Sequence, residues 1–175
     1  PRLLLMHGLP GSGKTQAAQG LLEAAGAVRV RADVERKRLV GLAPLDRTRP
    51  EDAATVYGPA ATARTYERLV QVAQDALRGG YPTIVDAANL RRSERQRFFE
   101  LADRLGVPVW LLDCDADPAL LRERVQSRAA RGDDASEADL AVLERLTAVR
   151  EPLDAGERAR ALRVDTGAPL ALGAL

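Results

Sequence analysis

Short, mostly apolar segments recur along the chain, and each is followed by a stretch with helical periodicity. Such segments are typical of parallel strands buried on both faces, because they are too short to form buried helices. Five segments fit this description: Leu3–Met6, Val28–Val30, Thr83–Val85, Val107–Leu112 and Leu162–Val164. The third and fourth run directly into Asp86 and Asp113, so carboxylates are expected where these two strands end.

Helix signals occupy the stretches between the strands. Pro59 opens the longest predicted helix at its first turn, and Asp117-Pro118 caps and starts another. Ser93 with Gln96, and Ser136 with Asp139, have the spacing of capping boxes. The predicted helices cover about 14–25, 33–40, 59–78, 93–105, 118–131 and 136–150.

Alternating strands and helices predict an α/β domain with three layers around a parallel sheet. The 175 residues suit one domain over 1–175. Residues 42–57 have no clear period, so we expect a mobile loop or a small insertion there, and we expect a loosely held tail after Pro169. The strand order is not readable from this pattern.

Composition narrows the class of protein. Hydrophobic residues make up 46% of the chain, yet no apolar run is long enough for a transmembrane helix, and Leu3–Met6 does not resemble a signal peptide. The single cysteine, Cys114, excludes an internal disulfide and favours a reducing cytoplasm. The net charge of +1 does not indicate the strongly basic surface that binds duplex nucleic acid.

The junction between the first strand and the first helix carries the clearest chemical motif. It fits G-x-x-x-x-G-K-[ST], whose backbone N–H groups and helix N-terminus bind phosphate oxygens. In this motif Lys14 reaches the β- and γ-phosphates and the Thr15 hydroxyl ligates Mg²⁺, which predicts ATP, or alternatively GTP, with Mg²⁺ as cofactors. The residues predicted to bind nucleotide are Gly8, Leu9, Pro10, Gly11, Ser12, Gly13, Lys14 and Thr15. His7 precedes the loop and is interpreted as a strand-end residue.

Polar residues after the second and third strands form the candidate acceptor side. Asp33 lies just past the second strand, at the carboxyl edge where open α/β sheets build their sites, and is predicted to accept the proton of an attacking hydroxyl. Arg36, one helical turn later, and Asn89 are candidate acceptor contacts. Asp86 is a candidate metal ligand, acting through water. The alternatives are purely structural roles: a helix cap for Asp33, a solvated charge for Arg36 and a loop cap for Asp86.

Arginines on the helix over 118–131 predict a lid, over about 122–137. Arg124, Arg128 and Arg131 follow i, i+4, i+7 spacing and share a face, where guanidinium groups suit a transferring phosphoryl group. Arg128 and Arg131 are the preferred catalytic candidates over Arg122, alongside Lys14. The alternative for the group is an ordinary solvated arginine face.

These motifs together resemble a broad family of small P-loop kinases. The resemblance rests on the phosphate loop, on residues 31–36, on residues 85–90 and on the arginine-rich segment ending at Gly132, and it covers most of residues 2–166. The family includes phage-type polynucleotide 5′-hydroxyl kinase domains, zeta toxins, gluconate kinase and chloramphenicol phosphotransferase. The chain is most similar to uncharacterised "predicted kinase" domains with AAA-type ATP binding, often fused to aminoglycoside-phosphotransferase-like domains.

The resemblance implies a sheet in the order 2-3-1-4-5, Asp33 as general base, Arg36 as acceptor-binding arginine, and a possible fused or partner kinase-like domain. It departs from the polynucleotide kinase pattern, because Asp86-Ala87-Ala88-Asn89 replaces aspartate-threonine-asparagine. Aromatic residues make up only 3% of the chain, so stacking platforms for single-stranded nucleic acid are scarce.

The leading hypothesis for function is an ATP-dependent phosphotransferase that moves the γ-phosphoryl group to a hydroxyl, more often of a small molecule than of a nucleic-acid end. A nucleotide-binding regulatory module or slow ATPase is the second hypothesis, in which Asp33 positions water or has no part. Polynucleotide 5′-hydroxyl kinase is the third. No membrane partner is expected.

Overall fold

A five-stranded parallel sheet forms the centre of the computed structural model, which describes residues 1–132 and 134–167. The strands are β1 (Leu3–His7), β2 (Val28–Arg31), β3 (Thr83–Asp86), β4 (Val109–Asp115) and β5 (Ala161–Asp165). They pair in the order β2-β3-β1-β4-β5, so the predicted order 2-3-1-4-5 is confirmed. The expected tail after Pro169 lies outside the described residues.

Helices connect the strands. They are α1 (Lys14–Ala25), α2 (Ala32–Arg38), α3 (Ala53–Tyr57), α4 (Pro59–Arg78), α5 (Arg92–Leu105), α6 (Pro118–Arg131), α7 (Leu140–Val149) and α8 (Ala155–Arg158), with a 3₁₀ turn at Pro50–Asp52 before α3. No helix in the described part of the chain is both long and apolar enough to span a bilayer.

The two faces of the sheet bury different helices, because neighbouring residues of a strand point to opposite sides. Leu3 and Leu5 of β1 belong to the larger hydrophobic cluster, with α4 and α5. Met6 belongs to the second cluster, with α1. This arrangement confirms the predicted three layers, and it places α1, which follows the glycine loop, on one face only.

The register brings polar strand ends together at the carboxyl edge. Arg31 of β2 lies opposite Asp86 of β3, and His7 of β1 lies opposite Asp113 of β4. The polar side chains expected from the sequence at strand ends are therefore neighbours in space, around the loop that follows β1.

Several local predictions are corrected. The stretch 42–57, expected to be a mobile loop or a small insertion without a helical period, contains the 3₁₀ turn and α3. α5 begins one residue before Ser93, and the carboxylate of Glu94 accepts the Arg91 N–H at 3.1 Å, so Ser93 with Gln96 is not its cap.

The start of α7 is also corrected. The helix begins at Leu140, and Asp139 is its cap, accepting the Val142 N–H at 2.8 Å, so Ser136 lies before the helix. The short helix α8 was not predicted, because it has only four residues.

Candidate functional site

The glycine loop after β1 has the backbone shape of a phosphate cradle. Gly8, Gly11 and Gly13 have φ values of 143°, 82° and 76°, which L side chains rarely adopt. A Cβ at Gly8 would lie 2.3 Å from the Cys114 carbonyl oxygen, and one at Gly11 would lie 2.6 Å from that of Leu121. Any side chain at these two positions would push the loop away from the strand and helix that hold it.

Lys14 lies folded over this loop. Its Nζ donates to the Leu9 carbonyl oxygen at 2.8 Å and to the Ser12 hydroxyl at 3.4 Å. Burial lowers the pKa of Lys14, opposed by the negative charges of Asp86 and Asp33. A buried ammonium in a cradle of backbone N–H groups is suited to holding phosphate oxygens.

Thr15 and Asp86 meet beside the loop, as their predicted metal role requires. The Thr15 hydroxyl donates to Asp86 Oδ2 at 3.1 Å. Asp86 is almost fully buried, and burial raises its pKa, opposed by the charges of Lys14, Arg31 and Arg29 and by the Thr15 hydrogen bond. A hydroxyl and a carboxylate form an oxygen donor set of the kind that Mg²⁺ prefers.

Two arginines of β2, which were not singled out from the sequence, face Asp86. The Nε atoms of Arg29 and Arg31 lie 3.9 Å and 3.6 Å from Asp86 Oδ2. The sequence did contain a signal for them, since the two positions alternate along β2 with the partly buried Val28 and the buried Val30. Arg31 also donates to Asp134 beyond α6 at 2.8 Å, so it bridges the Asp86 carboxylate and the predicted lid.

Asp33 lies in the first turn of α2, on the side of the phosphate loop. Its charge acts on both Lys14 and Tyr57, which places the carboxylate within electrostatic range of the two. In residues 1–132 and 134–167 no hydrogen bond or ion pair occupies its carboxylate. The residue before the helix, Arg31, holds the N-cap position, so Asp33 is not the cap of α2.

Arg36 contacts the protein rather than open space. Its Nη1 donates to the Val56 carbonyl oxygen and to the Thr62 hydroxyl, both at 3.2 Å, and its guanidinium lies 5.3 Å from the centre of the Tyr57 ring. It therefore ties α2 to α3 and to the start of α4. An acceptor contact by Arg36 stays a prediction.

Asn89 is placed inside the fold, which corrects its predicted contact with substrate. It is fully buried, and its side-chain nitrogen donates to the Met6 carbonyl oxygen at 2.7 Å. Its backbone has a φ of 50°, a left-handed conformation that asparagine tolerates better than most residues. Asn89 thus positions the end of β1, immediately before the phosphate loop.

The arginines of α6 have three different environments. Arg124 donates to the Gly11 carbonyl oxygen at 3.2 Å and to the Thr166 carbonyl oxygen at 2.7 Å, so it supports the phosphate loop from outside. Arg128 donates to Ala138 at 3.1 Å, and its charge acts on Lys14. Arg131 is exposed and donates to Ser127 at 2.8 Å. Arg128 therefore lies within electrostatic range of Lys14 and is not simply part of a solvated face. Arg131 lies at the end of the helix.

The segment after α6 is anchored to the acceptor side by ion pairs that the sequence did not suggest. The Lys37 side chain is completely buried, and its Nζ lies 2.8 Å from Glu137 Oε1. The same carboxylate oxygen accepts the backbone N–H of Thr48 at 3.1 Å. These contacts hold the segment 43–48, α2 and the predicted lid together.

The loop, the sheet order and the paired Thr15 and Asp86 define a P-loop nucleotide-binding domain. Residues 3–153 match the model of a family described as an AAA domain. The chain belongs to that family, because the match spans most of its length. No curated protein sequence matches the chain.

Solved structures share the fold. A sugar kinase from Janibacter has a TM-score of 0.65 at 21% identity, covering 96% of this chain and 87% of that one. A gluconokinase from Sinorhizobium meliloti has a TM-score of 0.60 at 22% identity, with 98% and 86% covered. Kti12 from Chaetomium thermophilum, in complex with ADP-AlF3, has a TM-score of 0.66 at 19% identity, with 94% and 89% covered.

Proposed function

We propose that this domain is an ATP-dependent phosphotransferase that transfers the γ-phosphoryl group to a hydroxyl of a small molecule. The observation that carries the proposal is the position of Asp33. Its carboxylate is unpaired among the described residues and lies within electrostatic range of Lys14, the ammonium of the phosphate loop. A triphosphate held by the loop would thus have a proton acceptor on the neighbouring strand's edge.

The transfer requires little more than positioning and charge. The acceptor oxygen attacks the γ-phosphorus, its proton passes to Asp33, and the bond from the γ-phosphorus to the bridging oxygen breaks to release ADP. Lys14 and Arg128 stabilise the negative charge on the phosphoryl oxygens, and Arg131 is proposed to join them when nucleotide is bound.

Mg²⁺ is the proposed metal cofactor. Thr15 and Asp86 would hold it, Thr15 through its hydroxyl and Asp86 through water, because their oxygens already lie 3.1 Å apart beside the loop. When bound, the ion neutralises charge on the β- and γ-phosphates.

A small polyhydroxylated acceptor is favoured over a nucleic-acid end. The sugar kinase and the gluconokinase share the fold, which is consistent with an acceptor of this kind. Base-stacking aromatic residues are scarce in the chain. Arg36 would contribute to the acceptor side only if it exchanged its bonds to Val56 and Thr62 for a ligand.

The test begins with a screen for acceptors. Pools of sugars, sugar acids and amino alcohols are incubated with protein, ATP and Mg²⁺, and mass spectrometry identifies any product heavier by one phosphoryl group. With the acceptor in hand, Asp33→Asn should lower kcat roughly 100- to 10,000-fold, since general-base catalysis contributes about that much. Binding of ATP should change by less than about threefold, because Asp33 does not belong to the loop.

Asp52→Asn is the matched control, because Asp52 is an exposed carboxylate of the neighbouring 3₁₀ turn. It should retain full activity. Full turnover in Asp33→Asn would remove Asp33 from its role. Steady ATP hydrolysis that ignores every alcohol, and ignores Asp33→Asn, would identify a slow ATPase or regulatory module instead.

A further inference from the structure

A cavity opens at the carboxyl edge of the sheet, and none of the proposed kinase residues line it. Its volume is about 360 Å³, within the range of small-molecule sites. It lies between the ends of β1 and β4 and the chain that follows α7. Its lining consists of His7, Asp113, Arg150, Pro152, Leu153 and Arg158.

His7 and Asp113 form a hydrogen-bonded pair in this lining. They are opposite each other in the register of β1 and β4, and His7 Nδ1 lies 2.7 Å from Asp113 Oδ1. Burial would raise the pKa of Asp113, but the hydrogen bond and charge of His7 and the charge of Arg150 outweigh it and lower that pKa. The ionised carboxylate only accepts hydrogen bonds, so Nδ1 carries the proton in this pair.

The other ring nitrogen of His7 is the unexplained group. His7 is 1% exposed, and its Nε2 is buried without a hydrogen-bond partner in the described part of the chain. Leaving a buried polar atom unpaired is costly, so the site favours a partner for this nitrogen. With Nδ1 donating to Asp113, Nε2 is the ring atom left for a ligand, and a hydroxyl, which can both donate and accept, can pair with it.

The cavity also carries an excess of positive charge. Arg150 Nη2 lies 3.4 Å from Asp113 Oδ1, which leaves most of its five N–H donors for other partners. Arg158 is exposed and donates to the Leu153 carbonyl oxygen. The lining therefore contains two guanidinium groups and one carboxylate, and a bound oxyanion would balance the charge.

The cavity is distinct from the phosphate loop although it adjoins it. His7 occupies the same face of β1 as Leu3 and Leu5, which pack with α4 and α5, whereas α1 and the loop it completes lie on the opposite face. α2, which carries Asp33, packs against α4 and so lies on the same side as the cavity.

We propose that this cavity binds a hydroxylated oxyanion, with the anion on Arg150 and Arg158 and a hydroxyl hydrogen-bonded to His7 Nε2. A sugar acid has both groups in one small molecule. The further step, that this ligand is also the acceptor of the phosphoryl group, rests on the proposed function. The binding of such a ligand in the cavity does not depend on it. An oxyanion could come from the carboxylate of such a molecule or from inorganic phosphate, and the experiment separates these two sources.

The chain has one histidine, so a single imidazole reports on the cavity. Protein with ¹⁵N-labelled histidine is titrated with gluconate, sorbitol or inorganic phosphate, without ATP or Mg²⁺, and the Nε2 resonance is followed by NMR. Sorbitol has the carbon skeleton of gluconate with a hydroxymethyl group in place of the carboxylate, so it lacks the charge. Gluconate should shift Nε2 saturably, with an apparent Kd at least tenfold lower than that of sorbitol.

Three variants locate the response. Arg150→Gln should weaken gluconate binding at least tenfold, with Arg158→Gln as the substitute if that variant does not fold. Arg145→Gln is the matched control, because Arg145 is exposed on α7, the helix that Arg150 follows, and does not line the cavity. This variant should behave as the unmodified protein. Lys14→Ala disables the phosphate loop and should leave the gluconate response intact.

The outcomes decide the proposal. One outcome is that phosphate is the probe that shifts the Nε2 resonance. If that shift requires Arg150 and persists in Lys14→Ala, the cavity is an oxyanion site and free phosphate is its ligand. A phosphate response lost in Lys14→Ala, without any gluconate response, would come from the loop next to His7 and would overturn the proposal. No shift with any probe, or equal affinity for sorbitol and gluconate, would also overturn it. None of these readouts needs turnover, so a failed kinase assay leaves them interpretable.

Discussion

Replacing Lys37 with methionine should destabilise the domain strongly, because the ammonium holds three parts of the fold at once. Its Nζ donates to the carbonyl oxygens of Pro44 and Asp46 at 3.0 Å and 2.7 Å and pairs with Glu137 at 2.8 Å. Methionine retains the aliphatic volume in a site that is completely buried. The substitution therefore removes the charge and the donors while keeping most of the packing.

The expected loss follows from the groups left behind. Removing one partner of a buried ion pair costs about 3–5 kcal/mol, mainly because the other charge stays buried. Glu137 is 15% exposed and keeps its bond from the Thr48 N–H, which reduces that cost. The two carbonyl oxygens lose their donor, which adds to it. We expect Lys37→Met to lose about 2–4 kcal/mol in the free energy of unfolding, or roughly 5–15 °C in Tm for a domain of this size.

Urea denaturation at neutral pH measures this loss, and a double-mutant cycle assigns it. Glu137→Gln keeps an acceptor for Thr48 and removes the charge, so alone it should cost less than Lys37→Met. The double variant should lose clearly less than the sum of the two, since no unpaired charge remains in it. Arg38→Met is the matched control on the same helix: it breaks the pair of a mostly exposed cation with Glu35, which keeps its pair with Arg68, so it should cost less than Lys37→Met.

A small effect would refute the reasoning. If Lys37→Met loses less than about 1 kcal/mol, the buried ammonium does not hold the segment 43–48 and the lid as described. Strict additivity of the two substitutions would show that the Lys37–Glu137 pair has no energetic role of its own.

Two further predictions concern acid stability and the phosphate loop. The Glu137 pKa is lowered from its ordinary 4.5, because the hydrogen bonds and charge of Lys37 and the Thr48 N–H outweigh burial, which acts to raise it. The stability from this carboxylate is complete above pH 4.5 and is lost as pH falls through the lowered pKa. The difference in urea midpoint between unmodified protein and Glu137→Gln should therefore shrink from pH 6 to pH 3, and a constant difference would contradict the assignment. Thr166→Val removes a hydroxyl that donates to the Ser12 carbonyl oxygen at 3.0 Å and accepts from Arg124 at 3.0 Å. Calorimetry should show ATP binding weakened by about 1–2 kcal/mol, roughly 5- to 30-fold in Kd, whereas an unchanged Kd would mean that the loop needs no support from this side.

The features that could be predicted from the sequence are those encoded locally. The phosphate loop consists of eight consecutive residues and requires glycine at fixed positions. Helix α1, which follows it, has the bounds predicted from the sequence, Lys14–Ala25. The Asp117-Pro118 start of α6 was also predicted, since a cap and its helix are adjacent in the chain. The strand order came from the family resemblance, because periodicity does not encode which strands are neighbours.

The features that were missed depend on contacts between residues far apart in the chain. Lys37 and Glu137 are separated by 100 positions, so nothing in the sequence near Lys37 distinguishes it from the basic residues on either side, Arg36 and Arg38. Asn89 looked like a ligand contact because it follows a strand-end aspartate, but its side chain turns inward to the Met6 carbonyl oxygen. A side chain's direction after a strand depends on the backbone of the turn, and the left-handed conformation of Asn89 reversed it.

One short helix connects the acceptor side with the lid. Arg31, at the N-cap of α2, pairs with Asp134, and Lys37 of α2 pairs with Glu137, so both ends of the helix are fastened to the segment after α6. Asp33 lies between them and, four residues before Lys37, projects from the same side of the helix. The position of the proposed general base therefore depends on where the lid segment lies. It follows that substitutions at Asp134 or Glu137, which touch no part of the phosphate loop, should change kcat and the KM for the acceptor more than the affinity for ATP.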